Sequence, residues 1–356
     1  MSEALKDLKV VELATVLAGP SVGLFFSEQG SEVIKIEHPT RGDVTRSWKL
    51  GTEDAGANVS AYFSSVNYKK IYEKADLKTE EGIQKIYDLL NDADVLLTNF
   101  KKGGDVKFGL DYATLKTKFP QLILGEINGF GEDSDRVAYD LILQAESGFM
   151  SMNGQPDSIP TKMPVALIDV LAGHQLKEGL LVALLNRGKS GKGCKVSVSL
   201  YDSALASLVN QASNYLMADH IPQRMGSNHP NIAPYGELFK TKDGKDITFA
   251  IGSDKQFKSL CSILGNEDLA VDSRFSNNLV RVKNRVELKN EIALMTANFD
   301  SAIMLSACLE KFVPAAQIKN LEEVFKAKEA QDVILNEEID GLATKRVKSV
   351  VYKITQ

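Results

Sequence analysis

Several residue types that carry chemistry are scarce in this chain. Its three cysteines, Cys194, Cys261 and Cys308, are far apart and odd in number. No disulfide framework is expected, and a reducing compartment suits the chain. Four histidines, with no HxxxH spacing and no CxxC, leave no metal site to read. There is no basic excess either: the formal net charge is -5, the wrong sign for a nucleic-acid binder. No apolar run approaches membrane-spanning length, and Met1–Asp7 lacks the basic and apolar regions of a secretory signal. The reading is therefore no nucleic acid, no membrane and a cytoplasmic location. Glycine is missing where one cofactor needs it. The first β-type run leads into its helix with Gly19 alone, whereas a dinucleotide fingerprint wants three glycines, which argues against an NAD enzyme.

What is present fits a soluble globular protein. The 356 residues are 44% hydrophobic and 25% charged, enough for two compact units. Leu8–Leu13 is a β-type run, a helix is expected to start at Pro20 and stop near Gly30, and Ser31–Glu37 reads as a second strand. Strand, helix, strand in so short a span is a βαβ unit with a parallel sheet. The alternation continues with a helix at Gly82–Leu90, a strand at Asp94–Asn99, a helix at Asp111–Phe119 and a strand at Leu122–Ile127. Asp140–Met150 reads as helix, Cys194–Ser199 as strand and Ala204–Tyr215 as helix. This predicts an α/β fold, a doubly wound large domain over residues 1–222. A linker follows at 223–237. A smaller α+β domain is expected at 238–327, with a hairpin around Lys242–Gly244 and then helices, and a return linker with a terminal strand at 328–356.

Within the large domain, the apolar run Met163–Ile168 delivers one carboxylate, Asp169, to the start of a long apolar-periodic segment, Val170–Leu185. Two roles suit a carboxylate there. One is a helix N-cap, accepting bonds from the free N–H groups of the first turn. The other is an anionic nucleophile at the mouth of an α/β fold. The local pattern alone favours the cap.

An ordered set of segments changes that balance. Val10–Pro20, Val33–Pro39, Gly42–Arg46, Asp76–Thr79, Asn99-Phe100, Tyr139-Asp140, Asp169–Gly173 and His229–Tyr235 resemble the family III CoA-transferases, the CaiB/BaiF family. Asp243-Gly244, Phe275 and Arg285 continue the match, which runs nearly the whole length of the chain. The resemblance implies a Rossmann-like large domain, a small domain, two linkers and a homodimer whose chains interlock. It implies an enzyme that moves CoA from an acyl-CoA to a small carboxylic acid, with CoA as substrate and no tightly bound cofactor. Asp169 falls on the catalytic aspartate. With a reference pKa of ~3.9 such a group is ionised at neutral pH and needs no activating base. Val16 and Ala18 match the loop whose backbone faces the thioester, Asn99 and Phe100 the residues that hold the pantetheine arm, and Lys107 a cation on the pyrophosphate. Arg46 and Lys70 are further cationic candidates for the CoA phosphates. His38 stands where many relatives have arginine. The glycine loops Asn128–Gly131 and Met225–Asn228 are candidates for keeping water out.

The same family holds α-methylacyl-CoA racemases, in which a histidine directly precedes the aspartate of the segment that here reads Tyr139-Asp140. Tyrosine, with a pKa of ~10, is a poor general base at neutral pH. Tyr139 therefore favours transfer over proton exchange, and His174 reads as structural. An inactive CoA-binding homologue is the third reading. Leu17 is apolar, which speaks against an oxalate acceptor. Neither the acyl donor nor the acceptor acid is legible.

Overall fold

The computed structural model describes residues 5–355 and divides into two compact units. Of the described residues, the first comprises 5–150, 162–221 and 329–355; the second comprises 151–161 and 222–328. The excursion at 151–161, inside the span expected for the large domain, thus belongs to the second unit.

The first unit is built on six parallel strands: β1 (Lys9–Glu12), β2 (Glu32–Glu37), β3 (Ile71–Lys74), β4 (Val95–Thr98), β5 (Ile123–Asn128) and β6 (Lys195–Ser199). Their order across the sheet is β3-β2-β1-β4-β5-β6, the doubly wound order of dinucleotide-binding folds. The order reverses between β1 and β4, which pair with Val10 opposite Val95. Such sheets bury both faces, so neighbouring residues of one strand enter different cores. Val10, Val95, Leu97, Ile123 and Ile127 pack on one side; Val11, Ile34, Leu96 and Leu124 pack on the other. Each such side chain contributes roughly 1.5–3 kcal/mol on burial.

The helices are α1 (Ala18–Glu28), α2 (Ala61–Ser64), α3 (Glu80–Leu90), α4 (Gly104–Lys107), α5 (Tyr112–Lys118), α6 (Asp140–Glu146), α7 (Phe149–Met152), α8 (Leu167–Ser190), α9 (Leu200–Ala206) and α10 (Asn210–Ala218). Ile86 and Leu90 of α3 and Leu115 of α5 cover one sheet face. On the other lie Val22 and Phe26 of α1, Leu176 and Leu180 of α8 and Ala204 of α9. Thr79 and Asp111 cap α3 and α5, each accepting an N–H from the third helical residue. The single helix expected over Ala204–Tyr215 is two, broken at Ser207–Val209, where Val209 has φ 46°. No single helix among the described residues is long and apolar enough to cross a membrane.

The second unit carries a three-stranded antiparallel sheet, β7 (Tyr235–Lys240), β8 (Asp246–Ala250) and β9 (Ala315–Gln317), with β8 in the middle. Helices α11 (Asp254–Ile263), α12 (Asn278–Lys283), α13 (Arg285–Thr296) and α14 (Ser301–Glu310) pack a core of Phe239, Phe249, Phe257, Leu260 and Phe275. The chain then returns to the first unit as an antiparallel hairpin, β10 (Ile334–Ile339) and β11 (Leu342–Val347). The terminal strand expected over Thr344–Thr355 is thus only the second arm of that hairpin, and Lys348–Thr355 is not strand.

Candidate active site

Outside the carboxyl ends of β1 and β4, the chain after β1 is pinned to β4. Leu13 and Ala14 both donate N–H to the Leu97 carbonyl, at 2.8 and 3.1 Å. Asn99 then closes a reciprocal pair, accepting from Thr15 N at 3.1 Å and donating to Thr15 O at 2.9 Å. Next comes Val16 with φ 73°. A β-branched residue in the left-handed region is a genuine outlier and costs on the order of 1–3 kcal/mol. α1 begins at Ala18, two residues before the proline expected to open it. Gly19 permits the tight approach, since a Cβ there would lie 2.3 Å from that of Ala14. The N–H groups of Leu17, Ala18 and Gly19 have no acceptor among the described residues.

Asp169 faces this loop. It is not the cap of α8: Ala166 holds that position and makes no side-chain bond, and Asp169 is the third helical residue. Capping comes from α6, whose Asp140 accepts from Ile168 N at 2.8 Å through one oxygen and from Gln144 Nε2 at 2.7 Å through the other. Leu167 N and Val170 N are also occupied, by Val165 O and Ala166 O. In the first turn of α8 the N–H of Asp169 itself is thus the one with no acceptor among the described residues, and the other open donors lie at the start of α1. α1 and α8 approach closely because of Gly173, where a Cβ would fall 2.3 Å from Ser21 Oγ and 3.2 Å from the Ala18 carbonyl.

Asp169 is only 8% exposed. Burial first, then the neighbouring Asp140 charge, pushes its pKa up to about 7. The expectation of full ionisation at neutral pH, drawn from the free amino acid, does not hold in this setting. Tyr62 was not singled out from sequence. Burial and the carboxylates of Asp169, Asp140 and Asp43 push its hydroxyl up to about 12, so it stays a proton donor. Nothing local in the sequence marks it, because it enters from α2, far along the chain.

Asp169 lines a cavity of about 570 Å³ together with Val16, Ala18, Asn99, Phe100 and Tyr139. Its outer wall carries Asn128, Gly129 and Gly131 and the cations Lys101, Lys102, Arg136 and Lys195. Lys195 is held by Glu126 at 3.4 Å and Glu132 at 3.1 Å. A second cavity of about 310 Å³ shares Thr15, Asn99, Phe100 and Lys101 with the first and adds His38, Arg41 and Lys78. The two adjoin at these shared residues, at the strand ends. Met225–Asn228 belongs to the second unit.

Three cationic candidates fall elsewhere. Lys70 is buried, donating to Glu12 at 2.7 and 2.9 Å, to Pro20 O at 2.9 Å and to Asn67 at 3.0 Å. Burial pulls its pKa down to about 8. Arg46 lies over the Phe63 ring at 3.9 Å and grips Glu37 through Nε and Nη2, with Nη1 on Asp340 at 2.9 Å. Both charges are thus met by carboxylates of the protein, and neither side chain lines either cavity. Lys107 is exposed at the end of α4 and lines neither cavity. Charge counting along the sequence cannot separate a solvated lysine from one neutralised in a core. His174 is exposed on α8, and no histidine lines the Asp169 cavity.

The chain matches the description CoA-transferase family III over residues 5–353. It is 40% identical over 333 residues to the succinate–glutarate CoA-transferase of Agrobacterium fabrum, covering 92% of this chain and 83% of that one. The succinyl-CoA:mesaconate CoA-transferase of Haloarcula hispanica is 34% identical, covering 90% and 82%. The succinyl-CoA:glutarate CoA-transferase of Mus musculus is also 34% identical, covering 90% and 73%. Among solved structures, a CaiB/BaiF family protein from Brucella suis superposes with a TM-score of 0.87 at 36% identity, over 99% of this chain and 93% of that one. A parallel sheet in this order, a buried aspartate facing the loop after β1, and likeness along nearly the whole chain place the protein among the family III CoA-transferases.

Proposed function

We propose that Asp169 carries CoA between two carboxylic acids as an aspartyl-CoA thioester, with succinyl-CoA as donor and a short dicarboxylate as acceptor. The observation that carries this reading is a buried, unpaired carboxyl that lines one cavity with the loop whose backbone N–H groups are open, next to a second cavity that shares Asn99 and Phe100 with it. Ionised Asp169 attacks the acyl carbonyl, the C–S bond breaks, and a mixed anhydride and CoA thiolate result. The thiolate attacks the aspartyl carbonyl, releasing the donor acid and leaving Asp169 as the thioester. The acceptor carboxylate repeats the two steps in reverse order. One carboxylate enters as another leaves, so no proton is consumed and no general base is required, which suits a cavity without histidine. The N–H groups of Leu17 and Ala18 are the donors for each developing oxyanion.

The two cavities apportion the rest of CoA. Asn99 and Phe100 lie where they meet and suit the pantetheine arm; His38, Arg41, Lys78 and Lys101 suit the phosphates. Arg136 and Lys195 offer charge to the far carboxylate of a dicarboxylate acceptor. The relatives named for succinyl-CoA, glutarate and mesaconate support that class. The interlocked homodimer belongs to the same reading, supported by the apolar surface of α10, where Leu216 and Met217 are 78% and 86% exposed.

Intact-mass spectrometry of the enzyme mixed with succinyl-CoA tests the chemistry. The expected product is a CoA adduct on the Asp169 peptide, released by hydroxylamine and by an acceptor such as glutarate. Full transfer activity in Asp169→Ala refutes the mechanism. Rapid α-deuterium exchange without transfer points instead to a racemase.

A further inference from the structure

The strained loop that faces Asp169 rests on buried charge. Beneath it lie Glu12, Lys35, Asp43 and Lys70, whose side chains are 0% exposed where they pair. Lys35 Nζ donates to Glu12 and Ala14 O, both at 3.0 Å, and pairs with Asp43 Oδ2 at 3.0 Å. Lys70 clasps the other side of Glu12 and the carbonyl of Pro20. Two positive and two negative groups balance, so the cluster buries no net charge. Asp43 is its edge. One carboxylate oxygen accepts from Thr45 N at 3.0 Å and Thr45 Oγ1 at 2.7 Å, which orients the side chain. The other accepts from Val16 N at 3.3 Å, across the loop. Against its burial, Lys35 and the Thr45 donors hold the Asp43 carboxyl below the usual range, so it is charged and acts only as an acceptor.

We infer that Asp43 is a positioning residue for CoA transfer, its Lys35-backed carboxylate holding Val16 N–H and thereby the left-handed turn that aims the Leu17 and Ala18 N–H groups at the Asp169 cavity. This rests on the reading of that cavity as the transfer site. A β-branched residue at φ 73° returns to the ordinary basin unless its surroundings over-determine it, and two restraints meet at this turn. Asn99 fixes Thr15 on one side, and Asp43 fixes Val16 itself. Glycine adopts the same φ without cost, so the native valine makes the turn depend on the carboxylate.

Asp43→Asn keeps the size but turns an amide N–H2 toward either Val16 or Thr45. The full-length variant is compared with the native enzyme for thermal midpoint, kcat, KM for succinyl-CoA and the single-turnover rate of Asp169 adduct formation. The expectation is a fall of about tenfold or more in kcat and adduct rate per folded enzyme, with KM within about threefold, since Asp43 borders the CoA cavity but is only 1% exposed. Adding Val16→Gly to Asp43→Asn is expected to restore part of that loss. If Asp43→Asn does not fold, Lys35→Met with Asp43→Asn removes one charge of each sign and carries the same expectation. A rate per folded enzyme within twofold of native, or a loss that Val16→Gly does not lessen, overturns the inference. Absence of an adduct in the native enzyme overturns instead the reading of the cavity.

Discussion

At the residue scale, Asp169 joins two demands that oppose each other. Its reactivity requires the ionised form, while burial and Asp140 favour the neutral one. The rate should therefore rise with pH along a single limb centred near 7 in kcat/KM, which reports the free enzyme. Asp140→Asn removes the smaller cause and keeps an oxygen for Ile168 N. The limb should move to lower pH, yet stop above the ordinary carboxylate range because the burial remains. A pH–rate series on the two proteins checks both statements. The same shift has a cost in stability. A folded pKa raised from 3.8 to about 7 stabilises the fold fully only below about pH 4 and ceases to do so as pH rises through 7. At pH 8 the penalty is up to about 4 kcal/mol, at 1.36 kcal/mol per unit of pKa. Asp169→Asn should thus abolish transfer and raise the melting temperature at pH 8 by several degrees, with little change at pH 4. Thermal scans at the two pH values decide it.

Residues were also where the sequence misled. Asp169 was legible because its segment sits in an ordered set of others. Arg46 belongs to the same set and Lys70 was a further cationic candidate, and neither sequence position says whether the charge faces a ligand or a buried carboxylate. Of the cations that do line the second cavity, Arg41 and Lys101 lie outside the matching segments, and Lys78 lies inside Asp76–Thr79 with nothing there to single out its charge.

At the scale of elements, the alternation of strand and helix was readable because a sheet covered on both faces needs continuous apolar strands and amphipathic helices. β3 was not. Its Ile71 and Lys74 are exposed at the sheet edge, so no burial pattern announces it. The break between α9 and α10 contains neither glycine nor proline, and the left-handed Val209 at its end, 69% exposed, has no mark in the sequence. The contact of α1 with α8 does have a sequence mark in Gly173. Replacing it by alanine puts a methyl group against Ser21 and the Ala18 carbonyl, where overpacking typically costs about 1–3 kcal/mol. Gly173→Ala should lower the chemical-denaturation midpoint and reduce kcat, because the displaced backbone belongs to the loop facing Asp169. An unchanged midpoint with unchanged kcat would show that Ser21 yields without moving Ala18.

At the scale of the molecule, the first unit is discontinuous. Its hairpin β10–β11 is fastened by long-range polar bonds: Lys69 N to Glu337 at 2.7 Å, Arg46 to Asp340, and the fully buried Glu28 to the N–H groups of Ser349 and Val350 at 2.9 and 2.8 Å. Arg346 also reaches Glu28, at 3.5 Å. Removing one partner of a buried pair leaves the other uncompensated, at roughly 3–5 kcal/mol. Glu28→Ala should cost about that much by urea denaturation, and the residues after Val347 should become sensitive to brief proteolysis.

That arrangement also separates the order of synthesis from the order of assembly. The second unit's last segment, Pro222–Lys328, leaves the ribosome before the hairpin does. It can close its own core while α1, made near the start, still waits for the residues that cover Glu28. A nascent chain halted near residue 330 thus holds a finished small unit beside a large one with an uncovered carboxylate. The first unit, begun first, is thus the last to be completed.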